Sequence, residues 1–135
     1  MPPDDVRLED ARAWLAKAEL DLRAADLELG TPAAGLWGDV AFHAQQAAEK
    51  ALKAFLALHD EPFGKTHSIE QIGRACTVID PGLGELVAAA APLTEYAWKF
   101  RYPGDLGEPT QDEAERAVAV ARRLVLAVKA GLPAA

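Results

Sequence analysis

The feature that most constrains this chain is a run of apolar residues near its N-terminus, spaced alternately by three and four positions. Leucine occupies every seventh position and alanine lies between the leucines: Leu8, Ala11, Leu15, Ala18, Leu22, Ala25 and Leu29. This spacing places the residues on one narrow stripe of an α-helix, and the small alanines let a second helix approach closely. The pattern predicts a first helix over residues 8–29. Gly30-Thr31-Pro32 should end it, since glycine suits the C′ position and proline cannot continue a helix.

The same helical periodicity predicts four more helices, over residues 35–59, 68–80, 83–101 and from Thr110 onward. Ser68 with Gln71, and Thr110 with Glu113, have the spacing of capping boxes at helix N-termini. Pro92 lies inside the fourth helix and removes a backbone donor, so we expect a kink or a restart there.

No segment has a convincing strand pattern, and the chain contains no repeat, low-complexity tract or interdomain linker. Helices separated by short loops usually pack antiparallel to their neighbours. At 135 residues the chain is long enough to bury a real core. The sequence therefore predicts an all-α fold: an up-and-down antiparallel bundle of four long helices plus one short helix, in a single domain over residues 1–135.

Charge and composition narrow the classes of function. The net charge of −7 argues against broad non-specific binding to DNA or RNA, although it leaves room for a local basic pocket. A single cysteine, Cys76, excludes an intramolecular disulfide and suits a reducing cytoplasm. No apolar run approaches the roughly 20 residues of a membrane helix, and the acidic N-terminus lacks a signal-peptide layout. We expect a cytoplasmic protein without membrane association. The lack of Asn fits a thermophile or a GC-rich genome equally.

The second helix carries a polar strip. At about 100° per residue, its members fall within an arc of roughly 80°. They are Asp39, His43, Gln46, Lys50 and Lys53. The last four offer several hydrogen-bond donors and few acceptors, a set suited to phosphate, so we predict them as ligand-binding residues. The alternative is an ordinary solvated face. Glu49 also has the spacing for an ion pair with Lys53, which would occupy that lysine.

Three further residues are candidates for the same kind of site. His67 stands just before the third helix, whose free amides attract anions, and Lys65 adds positive charge. The alternative is a histidine bonded to a loop carbonyl. Arg101 can grip a phosphate bidentately and Tyr102 can stack on a base. Alternatively, Arg101 bonds to the last carbonyls of its helix while aromatic side chains fill the end of the bundle.

Two apolar side chains on the second helix, Phe42 and Leu56, point away from both the predicted core stripe and the polar strip. We interpret them as a contact with a partner helix in a homodimer. No cluster of His, Cys or carboxylate residues has the spacing of metal ligands, so the sequence predicts neither a metal site nor a cofactor.

Four segments of the chain together resemble the HEPN domain, the prokaryotic and eukaryotic nucleotide-binding helical family. They are Ala18-Glu19-x-Asp21-Leu22, the run from Phe42 to Leu56, Lys65-x-His67, and Tyr96 through Pro103. The resemblance spans about residues 10–125. It implies a four- to five-helix bundle that is usually dimeric and is often encoded beside a minimal nucleotidyltransferase, with which it forms a toxin–antitoxin-like pair. It also implies, for many members, a metal-independent ribonuclease with an Arg-(four to six residues)-His motif shared across the dimer.

The chain departs from that motif, because no histidine follows Arg101. A ribonuclease would then lack its usual general base, unless His67 or His43 lies near Arg101 and takes its place. We therefore carry three hypotheses. The first is a dimeric nucleotide- or anion-binding module paired with a nucleotidyltransferase. The second is a ribonuclease toxin with Arg101, His67 or His43 in a rearranged site. The third is an interaction scaffold without catalysis. The sequence leaves open whether the protein is an enzyme.

Overall fold

The computed structural model describes residues 4–100, 103 and 107–133. Five α-helices make up most of this part of the chain: α1 (Asp4–Leu29), α2 (Trp37–Leu58), α3 (Ile69–Ile79), α4 (Gly84–Ala90) and α5 (Gln111–Ala130). The described residues contain no strand. The prediction of an all-α bundle is confirmed.

The alanine–leucine stripe of α1 packs against α2, as its spacing predicts. Five of its members are buried: Ala11, Leu15, Ala18, Leu22 and Ala25. The facing alanines of α2 have no exposed surface, which fits a close approach of the two helices. Contacts between Asp21 and Lys50, and between Glu28 and His43, show that α2 runs antiparallel to α1. The helix begins at Asp4, four residues earlier than the stripe predicts.

The central element of the bundle is α2, which contacts α1, α3 and α5. Its buried residues include Gln45, Glu49 and Lys53 as well as the apolar ones. The sequence predicted Lys53 as part of a ligand-binding polar strip, with an ordinary solvated face as the alternative. The side of α2 that carries Glu49 and Lys53 is instead covered by the segment after α2, since Phe63 packs near Lys53 and His67 bonds to Glu49.

The connection from α2 to α3 doubles back along α2. His67, at its end, lies beside Gln45 and Glu49, and Cys76 of α3 reaches Leu52 one turn further along α2. This returning segment builds one side of the polar site described below.

The predicted interruption at Pro92 is present. α4 ends at Ala90, and the chain continues as a 3₁₀ segment, Ala91–Ala97. Proline lacks the N–H that an α-helix needs, so the fourth helix is short instead of long. α3 lies close to α4, because a Cβ on Gly73 would come within 2.2 Å of a methyl carbon of Val87.

Of the two predicted capping boxes, the one at Thr110 and Glu113 has both of its hydrogen bonds. At Ser68 only one is formed: its hydroxyl accepts from the backbone N–H of Gln71, whereas its own N–H donates to Thr66 Oγ1. No helix within the described ranges is long and apolar enough to cross a membrane.

Candidate functional site

Polar side chains form two clusters along the central helix α2. The first, called the Asp21 cluster, consists of Asp21, His43 and Lys50 and lies between α1 and α2. The second, called the Glu49 cluster, consists of Gln45, Glu49, Lys53 and His67 and lies between α2 and the returning segment. Both are built around a buried carboxylate.

In the Asp21 cluster, one carboxylate holds two groups of α2. Asp21 Oδ1 lies 2.9 Å from His43 Nδ1, and Oδ2 accepts from Lys50 Nζ at 2.7 Å. Burial alone would raise the pKa of Asp21, but the hydrogen bonds from His43 and Lys50 outweigh it and the pKa is lowered. The ionised carboxylate can only accept, so Nδ1 of His43 carries a proton. The same bond is the main reason that the pKa of His43 is raised.

The other ring nitrogen of His43 faces two more carboxylates. Nε2 lies 3.6 Å from Asp39 Oδ2 and 4.0 Å from Glu28 Oε1. Burial, and then the neighbouring Asp39, raise the pKa of Glu28 to about 7. Oε1 of Glu28 is buried and has no hydrogen-bond donor among the described residues.

In the Glu49 cluster, three donors meet one carboxylate. Lys53 Nζ donates to Oε2 at 2.9 Å, and Gln45 Nε2 and His67 Nδ1 both lie 2.9 Å from Oε1. Burial raises the pKa of Glu49, but these three hydrogen bonds outweigh the burial and the pKa is lowered. Gln45 Nε2 also reaches the backbone carbonyl of His67 at 3.3 Å, which fixes the returning segment on α2.

The structure corrects the prediction that Lys53 binds a ligand. Lys53 is only 6 % exposed. Its ammonium lies 5.4 Å from the ring centroid of Trp14 and 5.6 Å from that of Phe63, between α1 and the returning segment. The predicted ion pair with Glu49 is confirmed. Lys53 therefore stabilises the bundle through that pair and these cation–π contacts, and offers no surface to a ligand.

His67 is the most accessible member of the Glu49 cluster. Its side chain is 62 % exposed, while Glu49 is almost fully buried. The partner of Nδ1 is a buried carboxylate, not the loop carbonyl that the alternative interpretation supposed. Glu49 is ionised and can only accept, so Nδ1 donates and Nε2 is left to act as an acceptor or, when protonated, a donor.

The other predicted site residues fall in three places. Gln46 is half-buried, and its Nε2 donates to Oε1 of Gln45 at 2.7 Å, linking the surface of α2 to the Glu49 cluster. Lys50 is partly exposed on the Asp21 cluster. Arg101 and Tyr102 lie outside the described residues.

The two predicted dimer contacts differ. Phe42 is half-buried and lines a pocket of about 300 Å³ with Phe100 and Glu108, beside the start of α2. Leu56 is 1 % exposed and belongs to the core of the bundle. The prediction for Leu56 is wrong, because the returning segment and α3 cover the face of α2 on which it lies.

Sequence reasoning missed the three residues that organise the clusters: Asp21, Gln45 and Glu49. One signal for Asp21 was available, since Trp14, Asp21 and Glu28 recur every seven residues in α1, a spacing that keeps them on one side of the helix. No comparable local signal exists for the burial of Gln45 and Glu49, which depends on where the returning segment lies.

The protein is therefore an all-α module: a five-helix bundle with two buried polar clusters along its central helix. The HEPN domain model matches residues 11–131, and the chain therefore belongs to the HEPN family, a helical module connected with nucleotides and RNA whose members commonly dimerise.

A solved structure supports the fold. The chain is similar to an archaeal HEPN homologue of known crystal structure, with a TM-score of 0.69 and 24 % identity, over 91 % of this chain and 98 % of that one. At this level of identity, the likeness shows the fold. No curated protein matches the chain.

Proposed function

We propose that this protein is a nucleotide- or RNA-binding module that dimerises and pairs with a minimal nucleotidyltransferase in a toxin–antitoxin-like system. The observation that carries the binding part of the proposal is the geometry of His67. A buried carboxylate, Glu49, fixes its exposed imidazole in one orientation. A surface histidine needs no such support merely to be soluble.

The surroundings of His67 favour an anionic ligand although the whole chain is acidic. Lys53 neutralises Glu49, so the buried carboxylate does not leave a net negative charge next to the imidazole. The exposed Lys65 lies two residues before His67 and adds a positive charge. A phosphate at this place would meet the N–H that Nε2 carries when His67 is protonated, together with the ammonium group of Lys65. Both are donors that bind phosphate well.

We also revise the proposed ligand set. Lys53 leaves it, and Glu49 and Gln45 enter as positioning residues for His67. Gln46 and Lys50 remain as a second, partly exposed part of the surface, with Lys50 partly neutralised by Asp21. His43 leaves the set, because the carboxylates of Asp21, Asp39 and Glu28 surround its ring. Arg101 and Tyr102 complete the proposed set.

Calorimetric titration with ATP, and with a short single-stranded RNA, tests the binding. We expect saturable binding that weakens ~10–100-fold in His67→Ala, since a hydrogen bond to a charged group contributes about 1.5–3 kcal/mol. Arg101→Ala should also lose binding. His59→Ala is the matched control, because His59 is exposed at the far end of α2, where its ring lies against Phe55. Absence of saturable binding by either probe would contradict this part of the proposal.

The partner is tested separately. The protein should co-purify with a minimal nucleotidyltransferase encoded beside it, and intact-mass analysis of both chains should show whether either one gains a nucleotide. If a neighbouring nucleotidyltransferase, expressed together with this chain, passes through the affinity column unbound, the pairing is wrong whatever the result with ATP.

The Glu49–His67 pair also favours a second candidate function, a ribonuclease with a rearranged site. A general base needs an accessible nitrogen and a group that holds the ring, and a carboxylate on Nδ1 supplies the latter. In this mechanism Nε2 of His67 takes the proton from the RNA 2′-hydroxyl, the 2′-oxygen bonds to phosphorus, and the P–O5′ bond breaks to leave a 2′,3′-cyclic phosphate. The leaving 5′-oxygen takes a proton from the imidazolium or from water, and Arg101 stabilises the charge that develops on the phosphorus-bound oxygens.

A cleavage assay decides between binding alone and catalysis. If the protein is a ribonuclease, a labelled RNA should be cut by the wild-type protein and by His59→Ala, and should stay intact with His67→Ala or Arg101→Ala. RNA that remains intact after prolonged incubation with the wild-type dimer would exclude the catalytic candidate and leave the binding module.

A further inference from the structure

The most unusual grouping outside the His67 surface lies at the other side of α2, where an imidazole nitrogen faces two carboxylates from two helices. Glu28 comes from the last turn of α1, and Asp39 and His43 are one turn apart near the start of α2. One potential ligand atom from each residue lies within 4.8 Å of the other two. The sequence predicted no metal site, because Glu28 is far from the other two residues along the chain.

The tautomer of His43 places a potential metal-ligating nitrogen beside the two carboxylates. The N–H at Nδ1 donates a hydrogen bond to Asp21, on the other side of the ring from Asp39 and Glu28. Nε2 therefore points toward Asp39 and Glu28, with a lone pair when the ring is neutral and with an N–H when it is protonated. Three electron-rich atoms that face one another are repulsive unless a proton or a cation lies between them. A carboxylate on the far nitrogen is also the usual support of a metal-binding histidine.

A second observation is independent of His43. Oε1 of Glu28 is buried and receives no hydrogen bond from any described residue. A buried acceptor without a donor costs free energy, and natural structures rarely keep one. This oxygen is the atom of Glu28 that lies 4.0 Å from Nε2, so the orphaned acceptor is the one that faces the other two candidate ligands.

We propose that Glu28, Asp39 and His43 bind a divalent transition-metal ion, with Zn²⁺ as the ion that fits best, and that Asp21 is the positioning residue for His43. In a tetrahedral zinc site with bonds near 2.0–2.2 Å, ligand atoms are about 3.3–3.6 Å apart. The observed separations from Nε2 of 3.6 and 4.0 Å require only a small contraction. Two carboxylates and a neutral imidazole offset the charge of the ion, and the fourth position is left for water.

Zinc titration of the tag-free protein, after treatment with a chelator, tests this site. We expect saturable binding of one Zn²⁺ per chain by calorimetry, and a rise in Tm, because the ligands come from two helices that the ion would join. Glu28→Gln and Asp39→Asn should each lose this binding. Asp21→Asn should weaken it ~10–100-fold, the usual effect of removing the partner of a metal-binding histidine.

Two controls separate the site from other metal-binding groups of the chain. Glu19→Gln removes an exposed carboxylate from the same helix as Glu28, and His59→Ala removes an exposed histidine. Both should bind Zn²⁺ like the wild-type protein. With Co²⁺ as a second probe, the wild-type protein should show the visible absorption of a low-coordinate site, and Asp39→Asn should not. Zinc binding that survives in Glu28→Gln and Asp39→Asn, or that is lost in His59→Ala, would overturn the proposal.

Discussion

Replacing Glu49 with alanine should lower the free energy of unfolding by about 3–5 kcal/mol, the usual effect of removing one partner from a buried ion pair. The loss is large because Glu49 accepts from three groups at once. Without it, the ammonium of Lys53 stays buried between Trp14 and Phe63 with no counter-charge. Urea unfolding monitored by circular dichroism measures the change. If the unfolding free energy of both proteins depends on urea concentration with the same slope, the difference in midpoint gives the difference in stability.

The chain offers a closely matched control for this substitution. Glu70 and Arg74 form an ion pair with the same spacing along a helix and the same 2.9 Å distance, but both side chains are mostly exposed. Glu70→Ala should change the unfolding free energy by less than about 0.5 kcal/mol, apart from its effect on helix propensity. Equal losses in the two variants would mean that burial of Glu49 is not the cause.

A double substitution tests the mechanism further. Glu49→Leu combined with Lys53→Leu removes both charges, so no unpaired ion is left in the core. We expect the double variant to be more stable than Glu49→Ala, because replacing a buried pair by apolar groups of similar volume is often neutral. A double variant that is less stable than the single one would contradict this explanation.

The pH dependence of stability gives a second readout of the same carboxylate. Folding lowers the pKa of Glu49 below the ordinary value of 4.5 that it has in the unfolded chain. Below pH 4.5 the unfolded chain therefore binds a proton that the native chain does not, and stability falls as the pH falls through the lowered pKa. The wild-type protein should lose this contribution in acid, and Glu49→Ala should have none to lose.

Sequence patterns predicted the elements that depend on local chemistry. The stripe of α1, the capping box at Thr110 and the break at Pro92 all follow from the identity of a few residues close together in the chain. The ion pair between Glu49 and Lys53 was predicted on the same basis, from a spacing of four in the favourable order.

The surroundings of those elements were not predictable in the same way. The face of α2 with Glu49, Lys53 and Leu56 is covered because residues 60–68 return along the helix, and no pattern within that helix indicates it. A lysine four residues after a glutamate has the same sequence signature on a solvated helix as in a core. The positions of Trp14 and Phe63, which lie on other segments of the chain, distinguish the two.

The candidate site was therefore half predictable. His67, Gln46 and Lys50 are polar residues of α2 and the segment before α3, and donor-rich composition was enough to select them. Their support was missed, because Asp21 and Glu49 act through carboxylates that sequence reasoning placed outside the site. A buried carboxylate is informative only once its burial is known, since an exposed one is ordinary.

Replacing Leu56 with alanine should destabilise the folded chain by about 2–5 kcal/mol, as large-to-small substitutions in cores do. Leu56 is 1 % exposed and belongs to the core cluster that joins α2 to α3. The deleted methyl groups would leave a cavity next to Ile72, and the surrounding side chains would fill it only in part. Thermal and urea unfolding, each at several protein concentrations, measure the loss.

The concentration series distinguishes a core residue from a dimer contact. For a core residue, the loss is the same at every concentration, and the association state by sedimentation stays that of the wild-type protein. Leu27→Ala is the control, since Leu27 is 76 % exposed on α1 and its truncation should change stability by less than about 0.5 kcal/mol. If Leu56→Ala dissociates a dimer while the single chain keeps its stability, Leu56 is an interface residue after all. The covering of α2 by the returning segment would then be wrong as well, because the same face cannot be buried within one chain and still be available to a second.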